Sequence, residues 1–206
     1  MDWYFDFISP YSYLALERMP DWPEGTTLAP KPILFAGLLN HWGQKGPAEI
    51  TAKREFTYRQ AQWIADRAGV AFRFPSRHPF NPVNALRLAV AAGSDLETIR
   101  TIFRCIWAEG IEADSSMGIE EIARRIGMED GTERISDPVI KAKLRANGEE
   151  AIAAKVFGVP SLVIDGFVFW GQDSTGMALD YLRHPEHFDT AEMKRIATLP
   201  TGATRG

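Results

Sequence analysis

Strand-forming segments lie near the two ends of this chain, and between them Pro47 to Phe157 carries helical periodicity with little that reads as strand. Asp2 to Ile8 (DWYFDFI) is aromatic-rich and stops at Ser9-Pro10, the pattern of a buried strand running into a helix. Ser9 is a favoured N-cap and Pro10 a favoured first helical residue, so Pro10 to Met19 reads as helix. A second extended stretch, Thr27 to Leu34, completes a strand-helix-strand unit whose length suits a parallel crossover. Near the other end, Ser161 to Ile164 and Phe167 to Trp170 flank Asp165-Gly166, a type I′ hairpin signal, and Ser174 reads as the cap of a helix through Leu182. Sheet-forming segments thus stand at both ends with helices between them. The expected class is therefore an α/β core split by a helical insertion.

Within the insertion, Pro47 to Arg67 reads as one long helix closed by Gly69, and Asn81 to Ala92 as another. Ser94-Asp95-Leu96-Glu97 has the form of a capping box for a helix to Glu109. Shorter helices are expected over Gly118 to Ile126 and Pro138 to Phe157, with Phe74 to Pro82 as a loop. The Thr- and Gly-rich final residues are expected to be loosely ordered.

Composition narrows the function. A net charge of -4 argues against a nucleic-acid partner, and no apolar run approaches the ~20 residues of a membrane span. The N-terminus lacks a leader pattern, so a cytoplasmic protein acting on a small molecule is expected, with a homodimer left open. The single cysteine, Cys105, cannot form an internal disulfide or a Cys-x-x-Cys pair, and within its helical pattern it reads as a buried, inert thiol. His41, His78, His184 and His187 show no metal-ligand spacing, and no metal site is expected.

Ser9 supports two readings. It can simply cap its helix. Alternatively, a hydroxyl at a helix N-terminus, where amides and dipole favour negative charge, can hold a thiolate. Val159-Pro160 opens a strand after a long helix, where a cis peptide would turn the Val159 backbone outward to pair with a peptide-like ligand, although trans is the default. Trp170-Gly171-Gln172-Asp173-Ser174 reads either as a turn with a cap or as a polar clamp for an amino-acid head group.

Five segments together carry a resemblance: FDFISPYSYLA (Phe5 to Ala15), HWGQKGPAEI (His41 to Ile50), KRxFxYR (Lys53 to Arg59), FGVPSLVIDG (Phe157 to Gly166) and FWGQDS (Phe169 to Ser174). In this order they resemble the 2-hydroxychromene-2-carboxylate isomerase family, which is related to kappa-class glutathione transferases and, more distantly, to DsbA oxidoreductases. The resemblance implies a thioredoxin-like domain (residues 1–40 and 157–206) interrupted by an all-helical domain (41–156). It implies glutathione as cofactor, with Ser9 at the sulfur and Val159, before a cis-Pro160, pairing with the cysteinyl backbone. Trp170, Gly171, Gln172, Asp173 and Ser174 would then hold the γ-glutamyl end. Gln44 and Lys53 would lie near the glycyl carboxylate or the substrate, and Glu49, His78 and Asn81 beside the substrate.

The implied activity is glutathione-dependent isomerisation by reversible thiolate addition. A kappa-like transferase and a catalytically silent binding module are the alternatives. Two cationic residues that meet the substrate carboxylate in naphthalene-pathway members appear here as Leu39 and Ile50, and an asparagine there is Glu49.

Overall fold

The computed structural model describes residues 1–203. The chain runs β1 (Asp2–Phe5), α1 (Pro10–Glu17), β2 (Ala29–Pro32), α2 (Phe35–Trp42), α3 (Thr51–Ala68), α4 (Val83–Ala91), α5 (Leu96–Trp107), α6 (Ser116–Arg125), α7 (Gly131–Arg134), α8 (Pro138–Ala153), β3 (Ser161–Ile164), β4 (Phe167–Trp170), α9 (Thr175–Arg183) and α10 (Ala191–Ala197). The four strands form one sheet in the order β2-β1-β3-β4. β1 pairs with β2 in parallel and with β3 antiparallel, so strands from both chain ends share a sheet. Pro30 and Pro32 sit in β2 at the sheet edge, where a missing amide does not break an interior ladder.

Alternation along β1 determines what covers each face. Trp3 and Phe5 enter a large apolar core with Leu14 of α1 and Ile102 and Phe103 of α5. Tyr4 points the other way, against Leu38 of α2 and Ala151 of α8. Each fully buried large side chain contributes about 1.5–3 kcal/mol relative to exposure, so both faces are held by helices.

The hairpin forms as expected: Asp165 (φ 50°) and Gly166 (φ 83°) both take the left-handed dihedrals that a type I′ turn needs, and Ile164 pairs with Phe167. Several boundaries differ from the sequence reading. The cap of α5 is Asp95, whose side chain accepts from the Thr98 amide at 2.9 Å, while Ser94 (φ 57°) belongs to the end of α4. Pro47–Glu49 is a separate 3₁₀ turn, because Ile50 is extended before α3 begins. Ser174 has helical dihedrals and no capping bond to an amide; its hydroxyl donates instead to the Gly171 carbonyl at 2.9 Å. Helices α2, α7 and α10 were not read from the sequence. Of the tail expected to be loosely ordered, residues 204–206 lie outside the described residues.

Candidate active site

Ser9 is seated by a turn in which every backbone carbonyl is engaged. The Asp6 carbonyl accepts from the Ser9 amide (3.1 Å), and the Ser9 carbonyl accepts from the amides of Ser12 (3.1 Å) and Tyr13 (3.3 Å). Between them, the Phe7 carbonyl takes the Trp107 indole N–H (2.8 Å) and the Ile8 carbonyl takes His78 Nε2 (2.8 Å). The Asp6 carboxyl lies beneath the turn, fully buried. It accepts from the Ile8 amide at 3.0 Å and from the Phe35 amide, at the start of α2, at 2.8 Å. Burial pushes its pKa up to about 7, against the lowering effect of the backbone amides of Phe35, Ile8 and Phe7.

Ser9 itself is 8% exposed, and its Oγ accepts from the Ser12 amide at 3.1 Å, so the capping role is real. That bond uses an oxygen lone pair and leaves the hydroxyl proton to donate elsewhere. Capping and thiolate binding therefore do not compete for the same part of the group.

His78 has both nitrogens occupied. A carbonyl only accepts, so Nε2 carries the proton toward Ile8, and Nδ1 faces the Tyr58 hydroxyl at 2.7 Å. Burial lowers its pKa, opposed by the Ile8 bond, and the ring is neutral at pH 7. The expected substrate residue is thus a support behind Ser9, tied at both ring nitrogens.

The Val159-Pro160 peptide is cis and both residues are buried. The Pro160 carbonyl accepts from the Gly171 amide at 2.8 Å, which joins the cis-proline to the Trp170–Ser174 segment. Gly171 adopts φ 91°, and a Cβ there would meet Asp173 Oδ1 at 2.4 Å. Gly158 lets the Trp170 indole lie against its backbone, since a Cβ would come within 2.3 Å of Nε1. Gln172 is held by Arg18 at the end of α1, through a 2.6 Å bond from Nη1 to Oε1.

Tyr11, the second residue of α1, links that helix to the helical block. Its hydroxyl donates to Gln60 Oε1 at 2.6 Å. Burial raises its pKa, a hydrogen bond with Thr57 opposes this, and the negative charge of Asp173 adds to it. The phenol is therefore neutral and electrostatically aware of Asp173. Gln60, Thr57, Phe56, Lys53, Ala52 and Pro47 line an open cleft of about 410 Å³.

The remaining expected residues lie apart from this set in their bonding. Gln44 is exposed in the loop after α2. The Glu49 carboxylate accepts from the Gly46 amide, closing its own loop. Asn81 Oδ1 accepts from the Val83 amide at 3.1 Å and starts α4. Sequence reasoning did not single out Asp6, Tyr11, Arg18 or Gln60. Only Asp6 carried a signal, as a charged residue inside an apolar strand run. Cys105 is buried as expected; burial, with Glu109 nearby, pushes its thiol up to about 11. The histidines are less dispersed than expected, because His184 and His187 come together with Glu186.

With this geometry in view, the family model described as the DSBA-like thioredoxin domain matches residues 1–183. The chain belongs to this family. Among its relatives, a 2-hydroxychromene-2-carboxylate isomerase from Sphingobium xenophagum is 27% identical over 189 residues, covering 88% of this chain and 97% of that protein. A glutathione S-transferase kappa 2 from Caenorhabditis elegans is 28% identical over 206 aligned residues, covering 88% and 91%. A solved structure of 2-hydroxychromene-2-carboxylate isomerase superposes with a TM-score of 0.76 at 22% identity, over 92% of this chain and 98% of that one, a likeness of fold. As a DSBA-like thioredoxin protein the chain differs from paired-thiol members in an obvious respect: Ser9 and Ser12 occupy the first turn of α1, and its one cysteine is elsewhere. Among the described residues, no helix is long and apolar enough to cross a membrane.

Proposed function

We propose that this protein is a glutathione-dependent isomerase of a small unsaturated, aromatic-derived substrate, working in the cytoplasm. The observation that carries the reading is the Ser9 hydroxyl, which is fixed at the N-terminus of α1 with its proton still available. The residues present fit glutathione. The buried cis peptide at Val159-Pro160 suits backbone pairing, and Gly171 leaves the Asp173 carboxylate uncovered for an ammonium group. Lys53 lines the neighbouring cleft and makes no ion pair among the described residues, which suits a carboxylate. In this reading the sheet-bearing part (1–40 and 157–206) holds the tripeptide, and the helical part (41–156) shapes the substrate cleft.

When bound, glutathione supplies a thiolate that adds reversibly to a conjugated carbon–carbon double bond and leaves again, so the bond can rotate while single. The chain's own residues orient and stabilise. Ser9 donates its hydroxyl proton to the sulfur, and the amides of the first turn of α1 favour negative charge beside it. Tyr11, held neutral, lies at the cleft edge through Gln60. Phe56 presents an apolar wall, and Lys53 a positive charge, to an anionic ring compound.

Departures at Leu39, Glu49 and Ile50 favour testing the transferase reading alongside. Incubation with glutathione and 2-hydroxychromene-2-carboxylate separates the two. An isomerase turns the substrate over and leaves glutathione unconsumed, whereas a transferase consumes it one for one with product. Calorimetric titration tests the binding site itself: Asp173→Ala should weaken glutathione by ~1.5–3 kcal/mol, the range for a charge-assisted hydrogen bond. No glutathione binding by the unaltered protein at millimolar concentration would leave the silent binding module.

A further inference from the structure

Beyond α9 the chain makes a 3₁₀ turn, Pro185–Phe188, that the proposed isomerase chemistry does not use. His184 stands at its N-terminal cap. The His184 and His187 rings stack, with ring centroids 5.0 Å apart and an interplanar angle of 24°. Glu186 lies between them in sequence, and one ligand atom from each of His184, Glu186 and His187 falls within 4.8 Å of the others.

The turn is not a loose arm. Its carbonyl at His184 accepts from the His187 amide at 3.0 Å, and the His184 amide is held by the Asp180 carbonyl at 2.7 Å. On its opposite side Phe188 packs edge-on against Tyr181 at 5.3 Å and Phe169 at 6.3 Å, which anchors it to β4 and the core. His187 Nδ1 meets Asp180 Oδ2 at 3.2 Å, the carboxylate–imidazole pairing that orients a metal-binding ring and leaves its other nitrogen outward.

We propose that His184, Glu186 and His187 form a surface zinc site, with Asp180 as the orienting partner of His187. Two imidazoles and one carboxylate suit a borderline divalent ion of the zinc type and do not suit calcium or magnesium, which take oxygen ligands. Bonds of about 2.0–2.2 Å lie in each imidazole plane, so binding requires the two rings to turn out of their stack and the ligand atoms to draw closer, movements that exposed side chains make by rotation about χ1 and χ2. Solvent fills the remaining position. The ion would clip the 3₁₀ turn to the end of α9 and so fasten the segment leading into α10. None of the site's residues lines the Lys53 cleft.

The test is calorimetric titration of the full chain, without a polyhistidine tag, using zinc chloride. One zinc per chain is expected, with no comparable binding of magnesium chloride. His184→Ala and His187→Ala should each weaken zinc about tenfold or more, and Asp180→Asn by a smaller factor. His41→Ala should leave binding unchanged. Zinc should also raise the thermal midpoint of the unaltered protein and not that of the double variant His184→Ala/His187→Ala, whose zinc-free midpoint reports that it folds. Absence of saturable one-to-one binding, or binding that persists in the folded double variant, would overturn the site. Neither result bears on glutathione binding at Ser9.

Discussion

His78 Nε2 donates to the carbonyl of Ile8 at 2.8 Å, across 70 residues of sequence, and so clamps the peptide immediately ahead of Ser9. The Tyr58 hydroxyl closes the other ring nitrogen at 2.7 Å. His78→Ala removes both partnerships and leaves a part-buried carbonyl unpaired, for an expected loss of about 1–3 kcal/mol in urea unfolding. The pH dependence has a definite sign. Burial lowers the folded pKa below 6.5, so the unfolded chain takes up a proton first as pH falls. This contribution is present above about pH 6.5 and is lost as pH falls toward the depressed value. His78→Ala should flatten that part of the profile; an unchanged midpoint and profile would mean that the turn stands without the ring.

Ser9→Ala should cost about 0.5–2 kcal/mol of stability through the lost cap. If the hydroxyl also serves the thiolate, the same change raises the thiol pKa of bound glutathione. Ultraviolet thiolate absorbance followed against pH reads this, and activity at neutral pH should fall with it. Ser9→Cys should trap glutathione as a mixed disulfide under mild oxidation, detectable by mass. An unshifted thiol pKa with full activity in Ser9→Ala would reduce Ser9 to a cap.

Asp6 titrates in the opposite sense to His78. Its folded pKa, pushed up to about 7, exceeds the unfolded value of 3.8, so the folded chain holds its proton longer as pH rises. The contribution is complete below about pH 4 and is lost as pH climbs through 7, each tenfold difference in proton affinity being worth about 1.4 kcal/mol. Asp6→Asn should abolish the slope between pH 4 and 7. It also sets an amide N–H₂ against one of the two backbone N–H groups, Ile8 or Phe35, so its stability should be lower throughout. Chemical denaturation across that range is the measurement, and a wild-type slope in the variant would assign the titration elsewhere.

Cys105→Ser should leave glutathione-dependent activity intact. The thiol is buried and held protonated, and serine there places a hydroxyl in an apolar site at a cost of about 1–3 kcal/mol. Loss of turnover with normal folding and glutathione binding would give the thiol a role in the chemistry.

Much of the fold was legible because its signals are local. The Ser9-Pro10 start of α1, the Asp165-Gly166 hairpin and the αL glycine at 69 each depend on dihedrals that a few adjacent residues dictate. Where two neighbouring residues carried the same chemistry, the sequence misled by one position: Ser94 and Asp95 can both cap, and only the left-handed turn after α4 excludes Ser94. At Ser174 the type suited a cap, but Ser174 ends a 3₁₀ turn, Gln172–Ser174, in which its hydroxyl bonds the Gly171 carbonyl.

By itself, then, the sequence determined the strand–helix–strand unit, the helical block, the hairpin, and a hydroxyl at the mouth of α1, since each follows from periodicity and turn chemistry within a dozen residues. Only the tertiary structure decided what surrounds that hydroxyl. His78 and Trp107 reach the Ser9 turn from 70 and 100 residues away, Asp6 ties it to α2, and Tyr11 meets Gln60 on α3. Buried carbonyls and carboxylates take whatever donors the packed core brings to them, and no pattern along a chain specifies partners that meet only once the apolar faces have closed.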